Sequence, residues 1–449
     1  MNFRFLTLIS FATALGGFLF GFDTAVISGA NLYIQPYFEL NEWAFGFTVS
    51  SMLIGCALGG IFFGAPSDRY GRKPMLIITA ILFLISAVGS ALATSLSSFI
   101  IFRLIGGLGV GGASMLSPNY IAEVSPAKVR GKMVSLNQLT IVLGITVAFF
   151  SNYFLDNLPE TINWRWMLGV EAIPAFLFLI FMFFVPESPR WLIVHKKNAK
   201  ALKVLEKING KENAQQIQNE IESDINNEAD EKLSFVDGVK KLFGNRYKKF
   251  TFIAIVLAVL QQVSGINIVM YYAPNIFKSI GLGSSGAIFQ SLSIGVIMSL
   301  FTIIAMFLVD KVGRKKLLTY GAIGMAFSLC ALGVSFSMDV KNPIVILLLI
   351  LSYIAFFSIS AGPIVWVIIS EILPNEVRSL GIGVATFFLW LANYIVTLTF
   401  PVLLNTFTGS MSGFAFVLYG VLSFLLFLFV KYKVPETKGK SLEEIRDLV

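Results

Sequence analysis

The chain has 449 residues, of which 56% are hydrophobic and only 13% are charged, and its mean hydropathy is +0.78. A soluble globular domain carries about 25% charged residues, so this chain lacks the polar surface that such a domain needs. The formal net charge of +8 is spread over short loops between apolar runs instead of forming one basic face, which argues against nucleic-acid binding and indicates an integral membrane protein.

Twelve segments are long and apolar enough to cross a bilayer as helices, which takes about 20 residues each. They lie at residues 6–28, 45–66, 74–94, 98–120, 133–155, 166–185, 250–279, 286–309, 317–337, 344–369, 380–404 and 412–431. These runs lack the alternation of apolar and polar residues that is typical of barrel strands. The expected fold is an all-α membrane protein with twelve transmembrane helices, numbered here span 1 to span 12.

Span 1 contains a single ionisable side chain, Asp23, and span 4 contains a single basic one, Arg103. An unpaired charge in the bilayer is costly, so each of these side chains needs a partner. Both lie about five residues from the same predicted membrane boundary, or about 8 Å along a helix. Their similar depth predicts that Asp23 and Arg103 form an ion pair.

Basic residues are distributed unequally between the loops on the two sides of the membrane. The loops after spans 2, 4 and 8 are rich in Lys and Arg, whereas residues 29–44, 95–97 and 405–411 contain none. This asymmetry predicts that both termini and the long loop 190–249 are cytoplasmic. That loop has mixed charge and helical patches such as NAKALKVLEKI, so we expect a solvated helical linker.

Three motifs occur twice, in the same order and at nearly the same spacing. They are DRYGRK at 68–73 and DKVGRK at 310–315, EVSPAKVRG at 123–131 and EILPNEVRS at 371–379, and PESPR at 186–190 and PETKG at 435–439. The duplication predicts two pseudo-symmetric bundles of six helices, an arrangement known from transporters. The expected domains are a first bundle at 1–189, a cytoplasmic linker at 190–249, and a second bundle with a short tail at 250–449.

Span 7 is unusually polar for a membrane helix. Gln261, Gln262 and Asn267 place three amides on neighbouring turns, and Gly265 gives the backbone freedom to unwind between them. Amides both donate and accept hydrogen bonds, as hydroxyl groups do, so these residues are candidates for binding a hydroxylated substrate. The alternative is that they hold helices together by interhelical hydrogen bonds.

The outer part of span 7 contains Tyr271 and Tyr272 shortly before Pro274. Proline removes a backbone donor from a helix and favours bending. This segment is therefore predicted to act as a hinged gate.

The motifs together resemble the major facilitator superfamily and, within it, the sugar porter family. The similarity runs from Asp23 to the PETKGKSLEEI tail and includes RLIGG at 103–107, PESPRWL at 186–192 and QQVSGIN at 261–267. It implies a transporter of monosaccharides, or of polyols such as inositol, that works by alternating access. Members of the family are either uniporters or proton symporters.

The resemblance implies further sugar-contacting residues outside span 7. They are Gln138 in span 5, Gly362 and Trp366 in span 10, and Trp390 in span 11. Tryptophan suits a sugar because its flat apolar face packs on ring C–H groups while its N–H donates.

Two positions depart from the family pattern. Met298 replaces an asparagine that is frequent in span 8, and Ala361 replaces a tryptophan that many bacterial members have before the Gly-Pro of span 10. Both changes alter the expected pocket wall, so the identity of the sugar stays open.

For Asp23 the resemblance implies proton coupling. Ionised Asp23 would hold Arg103, and protonated Asp23 would release it and allow the first bundle to close over the sugar. The alternative is a purely structural ion pair in a proton-independent facilitator.

The repeated motifs also contain charged residues that the resemblance assigns to gating. These are Asp68, Arg72, Glu123, Arg130, Asp310, Arg314, Glu371 and Arg378. Within this set Glu123 is grouped with Arg130, and Glu371 with Arg378, as opposite charges at the ends of spans 4–5 and 10–11. In the family such groups form salt-bridge latches that hold the two halves together while the site faces outward. The alternative is that they are ordinary loop charges, which contribute little at a wet surface.

Enzymatic activity is not expected. The sequence has no metal-ligand cluster and no pairing of a nucleophile with histidine. GGLGVGG at 106–112 looks like a phosphate-binding loop but lies inside span 4, where small residues allow close helix packing. Neither a cofactor nor a metal is predicted.

The sequence thus predicts a secondary transporter that imports a monosaccharide together with a proton, through Asp23 paired with Arg103. The expected partners are the sugar, the proton and the lipid of a cell inner membrane, and a monomer is expected. The alternatives are a proton-independent facilitator, a polyol transporter and, less favoured, a sugar sensor, which typically has a longer cytoplasmic tail.

Overall fold

The computed structural model describes residues 2–229, 235–340, 342–374 and 377–438, and these residues form helices joined by short loops without any β-strand. The helices are α1 (Phe3–Tyr37, span 1), α2 (Glu42–Phe62, span 2), α3 (Gly64–Tyr70), α4 (Arg72–Leu92, span 3), α5 (Leu96–Val124, span 4), α6 (Ala127–Leu155, span 5), α7 and α8 (Asn163–Gly169 and Ala172–Phe184, span 6), α9 (Pro189–Val194), α10 (Asn198–Asn209), α11 (Lys211–Ala229), α12 (Phe235–Leu242), α13 and α14 (Lys248–Val263 and Ile266–Ser279, span 7), α15 (Ser284–Val312, span 8), α16 (Arg314–Ser337, span 9), α17 and α18 (Pro343–Ile359 and Ala361–Ile372, span 10), α19 (Arg378–Thr406, span 11) and α20 (Phe414–Lys433, span 12).

The twelve predicted spans are confirmed within the described part of the chain. Most of the helices begin two or three residues before the limits that hydropathy indicates, and span 2 ends four residues before its predicted limit. Span 1 continues as a helix through NLYIQPY to Tyr37, beyond the predicted limit at residue 28. Asp23 therefore lies farther from the C-terminal end of its helix than the sequence predicted.

Spans 6, 7 and 10 are each broken into two helices. The break in span 7 falls at Gly265, whose φ of +95° is accessible to glycine at little cost, as the sequence predicted. Span 10 breaks at Ser360, three residues before Pro363, which cannot donate the helical hydrogen bond to the carbonyl of Ile359. Broken helices expose backbone groups near the membrane centre, where transporters commonly bind their substrates.

The duplicated motifs adopt the same local structure in both halves. The Glu187 carboxylate accepts hydrogen bonds from the backbone N–H groups of Arg72 and Lys73 at 3.0 and 3.2 Å. The Glu436 carboxylate accepts from those of Arg314 and Lys315 at 3.0 and 3.1 Å. An anion at a helix N-terminus satisfies otherwise unpaired donors, so each glutamate joins the last span of its half to the third.

The glycine that precedes each capped helix has a positive φ, +111° for Gly71 and +103° for Gly313. A Cβ atom at either position would run into the capping carboxylate. Burial raises the pKa of the Glu187 carboxyl, and the backbone N–H donors act against this rise. The matching geometry supports the duplication inferred from the motifs.

Glycines let spans 2 and 4 approach closely. A Cβ atom on Gly107 would collide with the carbonyl of Met52, and one on Gly111 with the carbonyl of Cys56. The glycine-rich segment of span 4 therefore serves helix packing, as the sequence predicted.

Replacing Gly107 by Val is expected to lower the stability of the protein by about 1–3 kcal/mol, because the added carbon atoms force two backbones apart. Gly60→Val is the matched control, since a Cβ at Gly60 meets nothing within 4 Å. Thermal unfolding of the two purified variants in detergent measures the difference. Equal melting temperatures would show that the close approach of spans 2 and 4 contributes nothing.

The N-terminus, the linker helices α9–α12 and the segment after α20 lie on one face, called the terminal face here. Asn2 N–H donates to the carbonyl of Ile208 at 2.7 Å, and Trp191 Nε1 donates to the carbonyl of Asp68 at 2.8 Å. The linker therefore packs against the ends of the spans, and its predicted helical character is confirmed over the described residues. The other side of the bundle is called the opposite face.

The two halves are packed together towards the opposite face. Asn31 Nδ2 donates to the carbonyl of Tyr271 at 2.8 Å, and a Cβ on Gly46 would collide with the carbonyl of Leu398. Thr146 Oγ1 in span 5 donates to the carbonyl of Gly295 in span 8 at 2.9 Å. These contacts close the seam between the halves on the opposite face.

Large apolar side chains cover the outer surface of the spans. Phe184, Phe327 and Phe307 are 78%, 72% and 69% exposed, respectively. Exposed apolar surface of this kind is unfavourable in water but suits a surrounding of hydrocarbon.

Candidate substrate and proton sites

The predicted ion pair between spans 1 and 4 is present in the structure. Arg103 Nη1 donates to Asp23 Oδ1, and the two side chains are only 2% and 0% exposed. Arg103 Nη2 lies 2.7 Å from Met52 Sδ. Asp23 Oδ2 and Arg103 Nε have no hydrogen-bond partner among the described residues, so the pair retains capacity for another proton or partner.

Gly106 makes room for the carboxylate. A Cβ atom at this position would lie 3.3 Å from Asp23 Oδ2 and would collide with Ser86 Oγ. A larger residue here would press on the ion pair.

Glu171, at the break in span 6, is a functional candidate that the sequence analysis missed. Its side chain is buried, it interacts electrostatically with both Asp23 and Arg103, and its Oε1 has no hydrogen-bond partner among the described residues. The signal was available, because GVEAIPAF contains a lone carboxylate inside an apolar span, as the segment around Asp23 does.

The span 7 amides form a chain of hydrogen bonds that ends on the break in span 10. Asn267 Nδ2 donates to Gln262 Oε1, and Gln262 Nε2 donates to Gln261 Oε1 at 3.3 Å. Gln261 Nε2 then donates to the carbonyl of Ala361 at 2.7 Å and more weakly to that of Gly362 at 3.3 Å. The predicted amides and the predicted glycine are therefore brought together.

The break in span 7 is itself supported by hydroxyl groups. Tyr353 Oη donates to the carbonyl of Ser264 at 3.0 Å, and Ser423 Oγ approaches the same oxygen at 3.4 Å. These contacts satisfy a carbonyl that the break leaves without a helical partner. Hydroxyl groups of spans 10 and 12 therefore stabilise the break in span 7.

The remaining candidates for sugar contact are Trp390, Trp366 and Gln138, on spans 11, 10 and 5. Trp390 packs against Phe20 of span 1, with ring centroids 5.8 Å apart, and its Nε1 has no hydrogen-bond partner among the described residues. Trp366 and Gln138 are partly exposed. An indole N–H that is buried without an acceptor is available to a ligand hydroxyl.

The two positions that depart from the family pattern are both buried. Met298 is 9% exposed and Ala361 is 0% exposed, and the carbonyl of Ala361 is the one that Gln261 binds.

Tyr271 and Tyr272 contact the first half at the opposite face. Tyr272 packs against Phe45 of span 2 and Phe400 of span 11, with ring centroids 5.7 and 5.3 Å apart, and its hydroxyl donates to the carbonyl of Thr397 at 2.9 Å. These three rings, called the aromatic gate here, close the seam. Helix α14 continues through Pro274, so the bend in span 7 lies at Gly265.

The described ion pairs at the terminal face lie within one half each. Arg72 binds Asp68 at 3.0 Å and Glu123 at 2.9 Å in the first half, and Arg314 binds Glu371 at 3.3 Å in the second. Each glutamate thus pairs with the arginine of the DRYGRK or DKVGRK motif.

The partners that the sequence grouped with these glutamates lie elsewhere. Arg130 is exposed, and Arg378 Nε donates to the carbonyl of Leu373 at 3.0 Å. The side chain of Asp310 and residues 439–449 of the tail lie outside the described part of the structure.

Two six-span halves, with hydrogen-bonded amides buried in the second and an ion pair buried in the first, are the arrangement of a secondary transporter of the major facilitator fold. A family model described as "Sugar (and other) transporter" matches residues 9–448. The chain belongs to this sugar transporter family.

Proteins with known roles are similar over nearly their whole length. The D-xylose-proton symporter of Escherichia coli K12 is 42% identical over 486 residues, covering 100% of this chain and 96% of the symporter. The arabinose-proton symporter of Bacillus subtilis 168 is 40% identical over 449 residues, covering 99% of this chain and 95% of that protein.

The fold is also similar to a solved structure, the inward-open conformation of the xylose transporter XylE from E. coli. The TM-score is 0.86 at 40% identity, with 99% of each chain covered.

Proposed function

We propose that this protein imports a monosaccharide of the pentose class together with a proton by alternating access. The observation that carries the proposal is the buried Asp23–Arg103 pair in a chain whose similar proteins include D-xylose-proton and arabinose-proton symporters. A pair of this kind costs desolvation energy, which a purely structural role could avoid with apolar residues.

In the proposed mechanism Asp23 is the proton acceptor, with its unpartnered Oδ2 as the position that the proton takes. Protonation removes the charge that holds Arg103. Glu171, which also interacts with Arg103, then offers the guanidinium a second partner inside the first half. The exchange moves Arg103 between two carboxylates and changes how spans 1, 4 and 6 pack.

The sugar is proposed to bind between spans 5, 7, 10 and 11. Donors and acceptors come from the amides of Gln261, Gln262 and Asn267. The pocket is completed by Gln138, Trp366 and Trp390. At Gly362 the absence of a side chain lets the sugar approach the backbone. A sugar hydroxyl that takes the Gln261 amide competes with the carbonyl of Ala361. Binding thereby changes the contact between the breaks of spans 7 and 10.

The terminal face is proposed to be cytoplasmic, because the Lys- and Arg-rich short loops lie there. With this orientation the termini and the linker lie inside the cell. The protein is further proposed to be a monomer in a cell inner membrane. In this orientation the closed seam faces outward and the structure is an inward-facing state.

Uptake of labelled sugars into proteoliposomes tests the proposal. D-xylose, L-arabinose, D-glucose and myo-inositol are compared with and without an inward proton gradient. Gradient-driven accumulation of a monosaccharide is the expected result. Equilibration that ignores the gradient would indicate a facilitator, preferential inositol uptake a polyol transporter, and no uptake of any compound would overturn the proposal.

Gating through the terminal-face ion pairs leads to a separate prediction. Glu371 pairs with Arg314 inside the second half in this structure, so the proposed latch requires that Glu371 binds a group of the first half when the terminal face closes. Glu371→Gln removes this charge, and we expect it to shift the population severalfold towards the state that is open at the terminal face, since an ion pair at this exposure contributes about 1 kcal/mol or less. Spin-label distances between the ends of spans 4 and 10 measure the populations.

Lys316→Gln is the matched control for Glu371→Gln, because it removes an exposed charge from the first turn of the same helix as Arg314. A distance distribution that responds equally to both substitutions, or to neither, would count against the latch.

A further inference from the structure

Two cavities lie in the seam between the halves at the opposite face, away from the span 7 amides. Their volumes are about 500 and 210 Å³, and Gln35, Asn275 and Lys278 line both of them. Together they form one depression, called the seam groove here. The larger cavity is within the size range of small-molecule sites, about 300–1,000 Å³.

The aromatic gate forms the floor of the seam groove. Phe45, Tyr272 and Phe400 line the smaller cavity, and these are the rings whose mutual contacts close the seam. A molecule in the seam groove is therefore separated from the amide cluster by the closed gate.

The chemistry of the seam groove suits an uncharged polyhydroxy compound. Gln35, Asn275 and Asn405 present amides that donate and accept. The charged groups are Glu39, Glu42 and Lys278, which add two carboxylate acceptors and one ammonium donor. Phe400 and Pro401 supply an apolar surface for the ring of a sugar.

The groove also contains unused hydrogen-bonding capacity. Glu42 Oε2 and Asn275 Oδ1 are acceptors without a hydrogen-bond partner among the described residues. Gln35 Nε2 reaches the other oxygen of Glu42 only at 3.5 Å. Ligand hydroxyl groups would relieve the cost of these unpaired acceptors after a small adjustment of the side chains.

The walls of the seam groove come from both halves. Gln35 and Glu42 belong to spans 1 and 2, whereas Asn275, Lys278 and Asn405 belong to spans 7 and 11. The complete set of groups exists only while the halves are packed together on this face. A ligand held by both walls therefore favours the closed gate over the open one.

We propose that the seam groove is a second, low-affinity sugar site on the opposite face that holds the gate closed when it is occupied. This proposal rests on the proposed sugar transport. Sugar concentrations high enough to fill the groove slow the return of the transporter to the state that is open on this face. Uptake should then decline at high sugar concentration on the side of the opposite face.

Saturation-transfer NMR with D-xylose on the purified full-length protein tests whether the site exists. Gln261→Ala weakens the central site, and a residual saturable signal is expected in this variant. Adding Asn275→Ala should lower that signal about fivefold, since one well-placed hydrogen bond is lost. Adding Asn157→Ala, an exposed asparagine elsewhere on the opposite face, should leave it unchanged.

The possible outcomes separate the two proposals. The seam site is overturned if Gln261→Ala gives no residual signal, or if Asn275→Ala leaves the residual signal intact. In either case the proposed transport still stands, provided that the wild type binds the sugar. No binding by the wild type contradicts the proposed transport itself. Melting temperatures of all variants identify any loss of signal that comes from unfolding.

Uptake curves test the effect on the gate. Wild-type uptake is expected to pass through a maximum and decline at the concentrations that saturate the NMR signal. The decline should weaken in Asn275→Ala and persist in Asn157→Ala. A wild-type curve that stays at its plateau over this range would show that occupancy of the groove does not favour the closed gate.

Discussion

Asp23→Asn is expected to abolish gradient-driven sugar accumulation while equilibration continues. The amide keeps the shape of the side chain and can still accept a hydrogen bond from Arg103, but it cannot exchange a proton. A gradient of one pH unit corresponds to about 1.4 kcal/mol per proton, so one-to-one coupling supports an accumulation of about tenfold. The variant should stop at equal concentrations on both sides, as measured by labelled sugar in proteoliposomes.

Glu160→Gln is the control, because it removes an exposed carboxylate outside the buried cluster. It should accumulate sugar as the wild type does. If Asp23→Asn also accumulates sugar tenfold, Asp23 is a structural partner of Arg103 and the proton is carried elsewhere, with Glu171 as the next residue to replace.

Gln261→Ala is expected to raise the KM for the sugar by roughly tenfold to a hundredfold, which corresponds to about 1–3 kcal/mol for lost hydrogen bonds to the substrate. The side chain connects the other two amides of span 7 to the break in span 10. Its removal therefore takes away a direct contact and the group that orients Gln262. Concentration-dependent uptake measures the change.

A purely structural role for the same amide makes a different prediction. If Gln261 only holds spans 7 and 10 together, its loss lowers the melting temperature and leaves the KM unchanged. Gln218→Ala, which removes a similarly buried amide in the linker, gives the effect on stability without any effect on the site. A variant with normal KM and reduced stability would remove Gln261 from the proposed sugar site.

Much of the fold could be predicted because its signals are local. Apolar runs mark the spans, a lone charge marks each member of the Asp23–Arg103 pair, and Gly265 marks the break in span 7. Pro363 is a comparable signal for the break at Ser360, but the break falls three residues upstream of the proline, so the sequence does not locate it.

Other features could not be predicted because they depend on where distant helices meet. Pairing of Glu123 with Arg72 instead of Arg130 is decided by the packing of spans 2, 3 and 4. Likewise, Gln35, Asn275 and Asn405 share a cavity only because the two halves are closed on one face. Sequence spacing contains no information about that closure.

The carboxylates of Glu187 and Glu436 bind main-chain N–H groups and therefore do not depend on the side chains of the residues they cap. After a duplication, each copy could accept substitutions at the capped positions without loosening the joint, provided that the acid and the preceding glycine stayed. Such a joint lets one half become specialised for the proton pair and the other for the amide cluster. The buried residues of the two halves can therefore differ while both halves keep the same joint between their last and third spans.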